Sequence, residues 1–308
     1  GGEEWLSRKS TGAVPAPGRI GLAYFSDRKG RIVTEMSVVR DSESLMTLIT
    51  AAAAQWHDFE LLQSRMPADG SLQLTDETED YSTLILCGPR SREILAAVCE
   101  ADLTRPWLTH QTSHIAGKYV NLIRVSFAGE LGWEIHAATA DIPAVHTAVS
   151  EAGAPLGLKP FGMFALDSLR IEKGYRAWKG DLSTDYTLLQ AGLERFIRWD
   201  KPDFIGKEAL LAERERGPTK RFVTLVIEAG DFDAPYMSTL WHDGRVVRET
   251  TSGKWGHRLG QSLALGVARS DLGEPGTQLE VEIFGERYPA VVQPDGPLWD
   301  PQNERLKS

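Results

Sequence analysis

The sequence predicts an α+β protein that ends in a small β-barrel or sandwich of roughly 80–90 residues. Three observations carry that expectation. Residues 18–40 alternate apolar and polar side chains about a charged turn, as a hairpin does. Residues 141–153 and 159–174 repeat apolar side chains at helical intervals. Beyond a charged stretch at 210–220 the chain changes to short β-rich runs separated by Gly and Pro.

In the first hairpin, Ile20, Leu22 and Tyr24 alternate, Asp27-Arg28-Lys29-Gly30 turns the chain, and Ile32 to Val39 is β-branched. A four-residue loop sets Tyr24 opposite Val33 and Leu22 opposite Glu35, so Tyr24 and Glu35 become diagonal neighbours on one face. "LMTLITAAAAQWHDFELLQSRM" continues as a strand and then a helix. From Ser82 a βαβ-like pattern follows: "STLILCG", a helix over 91–98 started by Pro89, and then "VSFAGELGWEIHA" as a hairpin about Gly-Glu-Leu-Gly. In the helix at 141–153, Ile142, Val145 and Val149 share a face and Gly153 stops it. The next begins near Pro160, carries a stripe of Phe161, Phe164, Ala165 and Leu169, and ends at Gly174. The stretch at 210–220 is the candidate boundary, dividing the chain into domains 1–216 and 217–308.

The chain has 308 residues, 42% apolar and 25% charged, with a formal charge of -9. That balance argues against a nucleic-acid binder, which needs a basic face to displace counterions. No apolar run reaches membrane-spanning length and no secretory signal is visible. Two cysteines, Cys87 and Cys99, have no metal-ligand spacing, and a reducing compartment is expected, the cytoplasm or a eukaryotic mitochondrial matrix. There is no phosphate loop, no G-x-G-x-x-G after a strand, no G-x-S-x-G and no H-x-x-x-H on a helix. These absences disfavour nucleotide, covalent-nucleophile and metal chemistry.

Two acids stand out. Glu134 sits between Trp133 and Ile135. The pleat either turns it to solvent with Ser126 and His136, or makes it an anchor, since a carboxylate takes two parallel hydrogen bonds from a flat N–H/NH₂ edge. Glu35 lies in "IVTEMSVV", apolar or β-branched on both faces. It needs either an arginine or a ligand, with Tyr24 at hand for a hydrogen bond. Arg170 either pairs with Asp167 on an exposed face or turns inward to a carboxylate or ligand.

"SFAGELGWEI", "ALDSLRIEKGY", "LLQAGLERFIRWDKPDFIGKEAL" and "TTSGKWGHRLGQSLALGVA" together resemble the aminomethyltransferase (glycine-cleavage T-protein) superfamily. They resemble most the folate-binding C-terminal half of dimethylglycine and sarcosine dehydrogenases, as does the ending "YPAVVQPDGPLWDPQNERLK". The likeness runs from about Gly18 onward. It implies a cloverleaf of α/β subdomains around a central tetrahydrofolate channel, with a C-terminal β-barrel. The family segment ahead of the first hairpin is expected to be missing or abbreviated. The implied activity is tetrahydrofolate-dependent one-carbon transfer, in which a methyl-derived iminium or formaldehyde is captured as 5,10-methylenetetrahydrofolate. The methyl comes from an N-methylated amine, and FAD is expected on a separate domain or subunit. Alternatives are a T-protein-type aminomethyltransferase, another tetrahydrofolate-dependent demethylase, and a non-catalytic folate-binding or assembly module.

By the same resemblance, Glu134 holds the pterin ring. Glu35 stands where T-proteins carry an aspartate beside the folate N5 and N10 atoms, and is the implied catalytic acid or base. Tyr24 lines the channel, and Arg170 matches the arginine of the family's "LRLE" helix. Three folate-facing positions depart from the pattern: Phe127 replaces a frequent Tyr, Ala51 a frequent Asn, and Glu35 the Asp.

Overall fold

The structure is a computed structural model describing residues 1–308. It has three parts. The first contains α1 (Gly2–Lys9), the strands β1 (Ile20–Ser26), β2 (Ile32–Arg40) and β3 (Met46–Ile49), and α2 (Gln55–Ser64). Its strands form an antiparallel sheet in that order. Ala23, Phe25, Met36 and Val38 on one face pack against Leu6 of α1 and Leu62 of α2.

The second part contains β4 (Tyr81–Cys87), α3 (Ser91–Ala96), β5 (His110–Ile115), β6 (Lys118–Ile123), β7 (Gly132–Ala138) and α4 (Ile142–Gly153). The sheet order is β4-β7-β6-β5 and every pairing is antiparallel, so the expected βαβ pattern is not realised. Instead the chain after α3 runs to the far edge of the sheet and returns by a hairpin. Trp133, Ile135, Leu122 and Leu86 pack beneath Val145 and Val149 of α4.

α5 (Met163–Glu172) and α6 (Lys207–Arg216) precede the third part. This is a closed barrel of β8 (Lys220–Ile227), β9 (Thr239–His242), β10 (Arg245–Gly256), β11 (Gln261–Arg269), β12 (Gln278–Ile283) and β13 (Glu286–Val292), in the order β10-β11-β8-β13-β12-β9. Inward-pointing Val223, Leu225, Leu240, Ala264, Val281 and Ala290 contribute to its core. Closure leaves no free strand edge. A short α7 (Glu304–Lys307) ends the chain, and no helix is long and apolar enough to cross a membrane.

Three local expectations change. In the first hairpin, Asp27 pairs with Arg31, so the loop has three residues, and a β-bulge then adds Val33 to β2. Each step moves the register by one. Together they keep the faces and bring Tyr24 directly opposite Glu35. In "VSFAGELGWEIHA" only the second arm is strand, because β6 ends at Ile123 and residues 124–131 form a loop. The Arg258 guanidinium, from beyond β10, donates to Ala128 O and Glu130 Oε1 of that loop. In α5 the stripe is on the wrong face: Phe161 and Phe164 are exposed, while Leu166, Arg170, Ile171 and Glu172 are buried. Polar partners chose that face. Ser168 donates to Trp255 O, and Glu172 accepts from the backbone N–H of Arg258 at 2.7 Å. Gly174, at φ 64°, does terminate the helix, with Tyr175 N–H closing on Arg170 O.

Candidate functional site

The first two parts meet at a corner. Arg19 and Thr109 bridge the edges of β1 and β5, and Ile20, Val39 and Ile123 pack together in the crook. Directly paired residues share a face. On the first wall the face of Ile20 and Val39 therefore also carries Leu22, Tyr24, Glu35, Ser37 and Ile49. On the second, the face of Ile123 carries Glu134 and Ile85 in the same row, and His136 with Thr83 in the next. Glu35 thus shares a face with Ile20 and Val39, and Glu134 shares one with Ile123, the residues that pack together in the crook. Val33, Glu35 and Ser37 stay partly accessible while Thr34, Met36 and Val38 between them are buried. On this face Tyr24 and Leu22 pack with Leu182, Leu188 and Leu193 of the segment between α5 and α6, so the wall is partly covered.

Tyr24 is buried, and its phenol lies beside the Glu35 carboxyl, its direct partner across the strands. Burial pushes the Glu35 carboxyl up from 4.5 to about 7, because the charged form loses water. The Tyr24 phenol opposes this, Asp181 reinforces it, and Arg176 opposes it again. Burial likewise raises the Tyr24 phenol, with Glu35 adding to the rise and Arg176 and Arg195 opposing it. Arg176 is positioned by the carbonyls of Ala191 and Gly174 and lies over the Phe222 ring at 4.1 Å.

Glu134 is partly exposed. Its Oε2 is 3.1 Å from His136 Nε2, and His136 Nδ1 is 3.0 Å from Thr83 Oγ1. Glu134 Oε1 has no protein donor among the hydrogen bonds. Trp133 and Ile135 on either side are buried in the opposite face, so the alternation seen in the sequence holds on this strand.

Phe127 lies in the loop 124–131, its ring stacked on Tyr175 with centroids 6.0 Å apart and planes 17° from parallel. Tyr175 in turn feels the charges of Arg195 and Asp300. Ala51 is exposed at the end of β3 and offers only a methyl group. Arg170 turns inward, and its donors are taken by Asp167 at 2.9 Å, Tyr175 O at 3.0 Å, Asp181 at 2.5 Å and Ser252 Oγ at 2.8 Å. Asp181 also accepts from Thr251, Ser252 and the Ala177 backbone. This places Arg170 in a joint between α5, the segment after it and the barrel. Arg170 also lines one side of a groove of about 530 Å³ together with Asp167, Asp233, Tyr236 and Lys254.

Tyr175, Arg176, Asp181, Arg195 and His136 were not legible as site residues. Four of them come from the irregular segment between α5 and α6, which has no periodicity to read, and His136 reads simply as an outward strand residue.

The fold matches the glycine cleavage system aminomethyltransferase T of Bartonella henselae with a TM-score of 0.86 over 97% of this chain and 81% of that one, at 22% identity. Residues 1–201 match the GCVT N-terminal domain, and residues 220–300 the glycine cleavage T-protein C-terminal barrel domain. The chain belongs to the glycine cleavage T-protein family. Human mitochondrial dimethylglycine dehydrogenase is 33% identical over 300 residues, 96% of this chain and 35% of the relative. Mouse mitochondrial sarcosine dehydrogenase is 38% identical over 248 residues, 76% and 27% respectively. An aminomethyltransferase of Saccharopolyspora erythraea is 31% identical over 278 residues, 89% of this chain and 75% of that protein. The chain therefore spans about a third of the length of the dehydrogenases it resembles.

Proposed function

We propose that this chain is a tetrahydrofolate-dependent one-carbon transfer unit of the dimethylglycine/sarcosine dehydrogenase type, with residues 1–216 binding folate and 217–308 forming the barrel. The observation that carries the reading is Glu35, paired across the strands with Tyr24 and its carboxyl pushed up to about 7, on one wall of an angle whose other wall presents Glu134. A pterin offers a flat N–H/NH₂ edge, and Glu134 has a free oxygen to accept from it. In this reading the stacked rings of Phe127 and Tyr175 would supply aromatic surface for the pterin.

Tetrahydrofolate brings two nitrogens that take up the carbon. With formaldehyde as donor, two C–N bonds form, two N–H protons leave and the carbonyl oxygen departs as water. Glu35 accepts a proton from nitrogen and returns it to the departing oxygen, a role suited to a carboxyl poised near pH 7. Tyr24 holds that carboxyl in place, and the apolar crook of Ile20, Val39 and Ile123 excludes water from beneath it. In this reading the donor is an N-methylated amine, oxidised on a flavin-bearing domain or subunit.

A second reading, an aminomethyltransferase receiving its group from a lipoyl carrier protein, draws support from the longer share of the aminomethyltransferase relative that is matched. A third is a folate-binding module without turnover, favoured by the apolar Phe127 and Ala51. Titration with tetrahydrofolate under reducing conditions, followed by a formaldehyde-to-methylenetetrahydrofolate assay, separates them. Binding with acceleration supports the first reading, and binding without it supports the module. Turnover only with aminomethyl-lipoyl carrier supports the second, and absence of binding defeats all three.

A further inference from the structure

We infer that His136 is a positioning residue, one that fixes the orientation in which Glu134 meets the tetrahydrofolate ring; this rests on the folate reading above. The sheet builds the arrangement. Glu134 and His136 lie two residues apart on β7 and so share a face, and Thr83 is the register partner of His136 on β4. His136 Nε2 lies 3.1 Å from Glu134 Oε2, and Nδ1 lies 3.0 Å from Thr83 Oγ1.

The chemistry of the three groups assigns their protons. An ionised carboxylate only accepts, so Nε2 carries a hydrogen when Glu134 is charged. In the neutral ring Nδ1 then accepts from the Thr83 hydroxyl, and Thr83 selects the tautomer that donates to the acid. On the other side of His136, across β6, stands Asn121, whose Oδ1 is buried without a partner. No other charged side chain hydrogen-bonds the ring. One oxygen of Glu134 is therefore committed to His136, and the other is left for a ligand.

A partly exposed glutamate has several rotamers to lose when it binds a ligand, and a fixed neighbour removes that loss beforehand. Glu134 and His136 lie on the more open face of the sheet, opposite the core built on Trp133 and Ile135. Their contact therefore orders a carboxylate without adding to that core.

The test uses the full 308-residue chain, tetrahydrofolate titration and the formaldehyde assay. His136→Ala is expected to weaken tetrahydrofolate binding by about three- to tenfold, the range of one net hydrogen bond, with kcat unchanged. His136→Gln, whose amide N–H reaches the place of Nε2, restores affinity. His136→Asn, whose amide reaches only the place of Nδ1, does not. Equal affinity for the Ala and Gln variants, or losses that track the melting midpoints of the three, overturns the inference and leaves the folate reading standing. If Glu134→Ala binds tetrahydrofolate as the parent does, this inference fails while the folate reading stands; if the parent itself does not bind, both fail.

Discussion

Burial holds Glu35 near half-ionised at neutral pH, and this has one consequence for rate and one for stability. If the charged form takes the proton, kcat rises with pH through about 7. Glu35→Gln then removes that limb and lowers kcat by roughly 10²–10⁴-fold while affinity changes little, as steady-state assays across pH would show. For stability the sign is opposite to that of a salt-bridged acid. Between 4.5 and about 7 the folded chain keeps a proton that the unfolded chain has lost, so this residue's contribution falls as pH rises across that window. Glu35→Gln should gain about 1–3 kcal/mol over the parent at pH 8 and little at pH 4, measurable by urea unfolding at both. On the other wall, Glu134→Ala should cost about 1.5–3 kcal/mol of tetrahydrofolate binding, read by titration.

Among the elements, the strands with clean alternation were the readable ones. Tyr24 and Glu35 were placed on one face because the period of two survives any even shift. The exact opposition of the pair was not readable, since a short loop and a bulge at Val33 each add a step that no residue pattern announces. The helix α5 was located but turned the wrong way. Phe161 lies ahead of the helix and Phe164 is exposed on it, whereas Arg170 and Glu172 are buried by partners more than ten residues distant in sequence. Periodicity weighs apolar residues and cannot see a polar group that finds its partner. Arg170 is the clearest case. Arg170→Ala leaves Asp181 buried without its cation and should destabilise by about 3–5 kcal/mol in thermal or denaturant unfolding. Arg170→Lys should recover only part of this, because one ammonium cannot serve the four directions that the guanidinium serves.

At the scale of the whole molecule, polar locks join the three parts alongside apolar clusters such as that of Ile171, Tyr186 and Phe222. Arg258 reaches Glu130 of the loop before β7, Glu172 of α5 and Leu169 O. Lys201 donates to Ser10 O and Gly12 O, tying the segment before α6 to the N-terminal part. The composition change at 210–220 marks where the barrel begins, but such locks depend on tertiary proximity and leave no trace in spacing. A third lock involves Lys173, whose side chain is fully buried and whose Nζ donates to Trp299 O, Asp300 O and Asn303 Oδ1. Its stem lies where Gly129, at φ 73°, has no side chain to obstruct it.

That enclosed amine gives the native protein a built-in reporter. An amine-reactive acylating reagent should mark exposed lysines such as Lys29 promptly while sparing Lys173. Peptide mass spectrometry over a time course would then follow how often the segment at 299–303 lifts away, and Asn303→Ala should hasten that marking. Equal labelling rates for Lys173 and Lys29 in the folded parent would show that the segment does not stay closed.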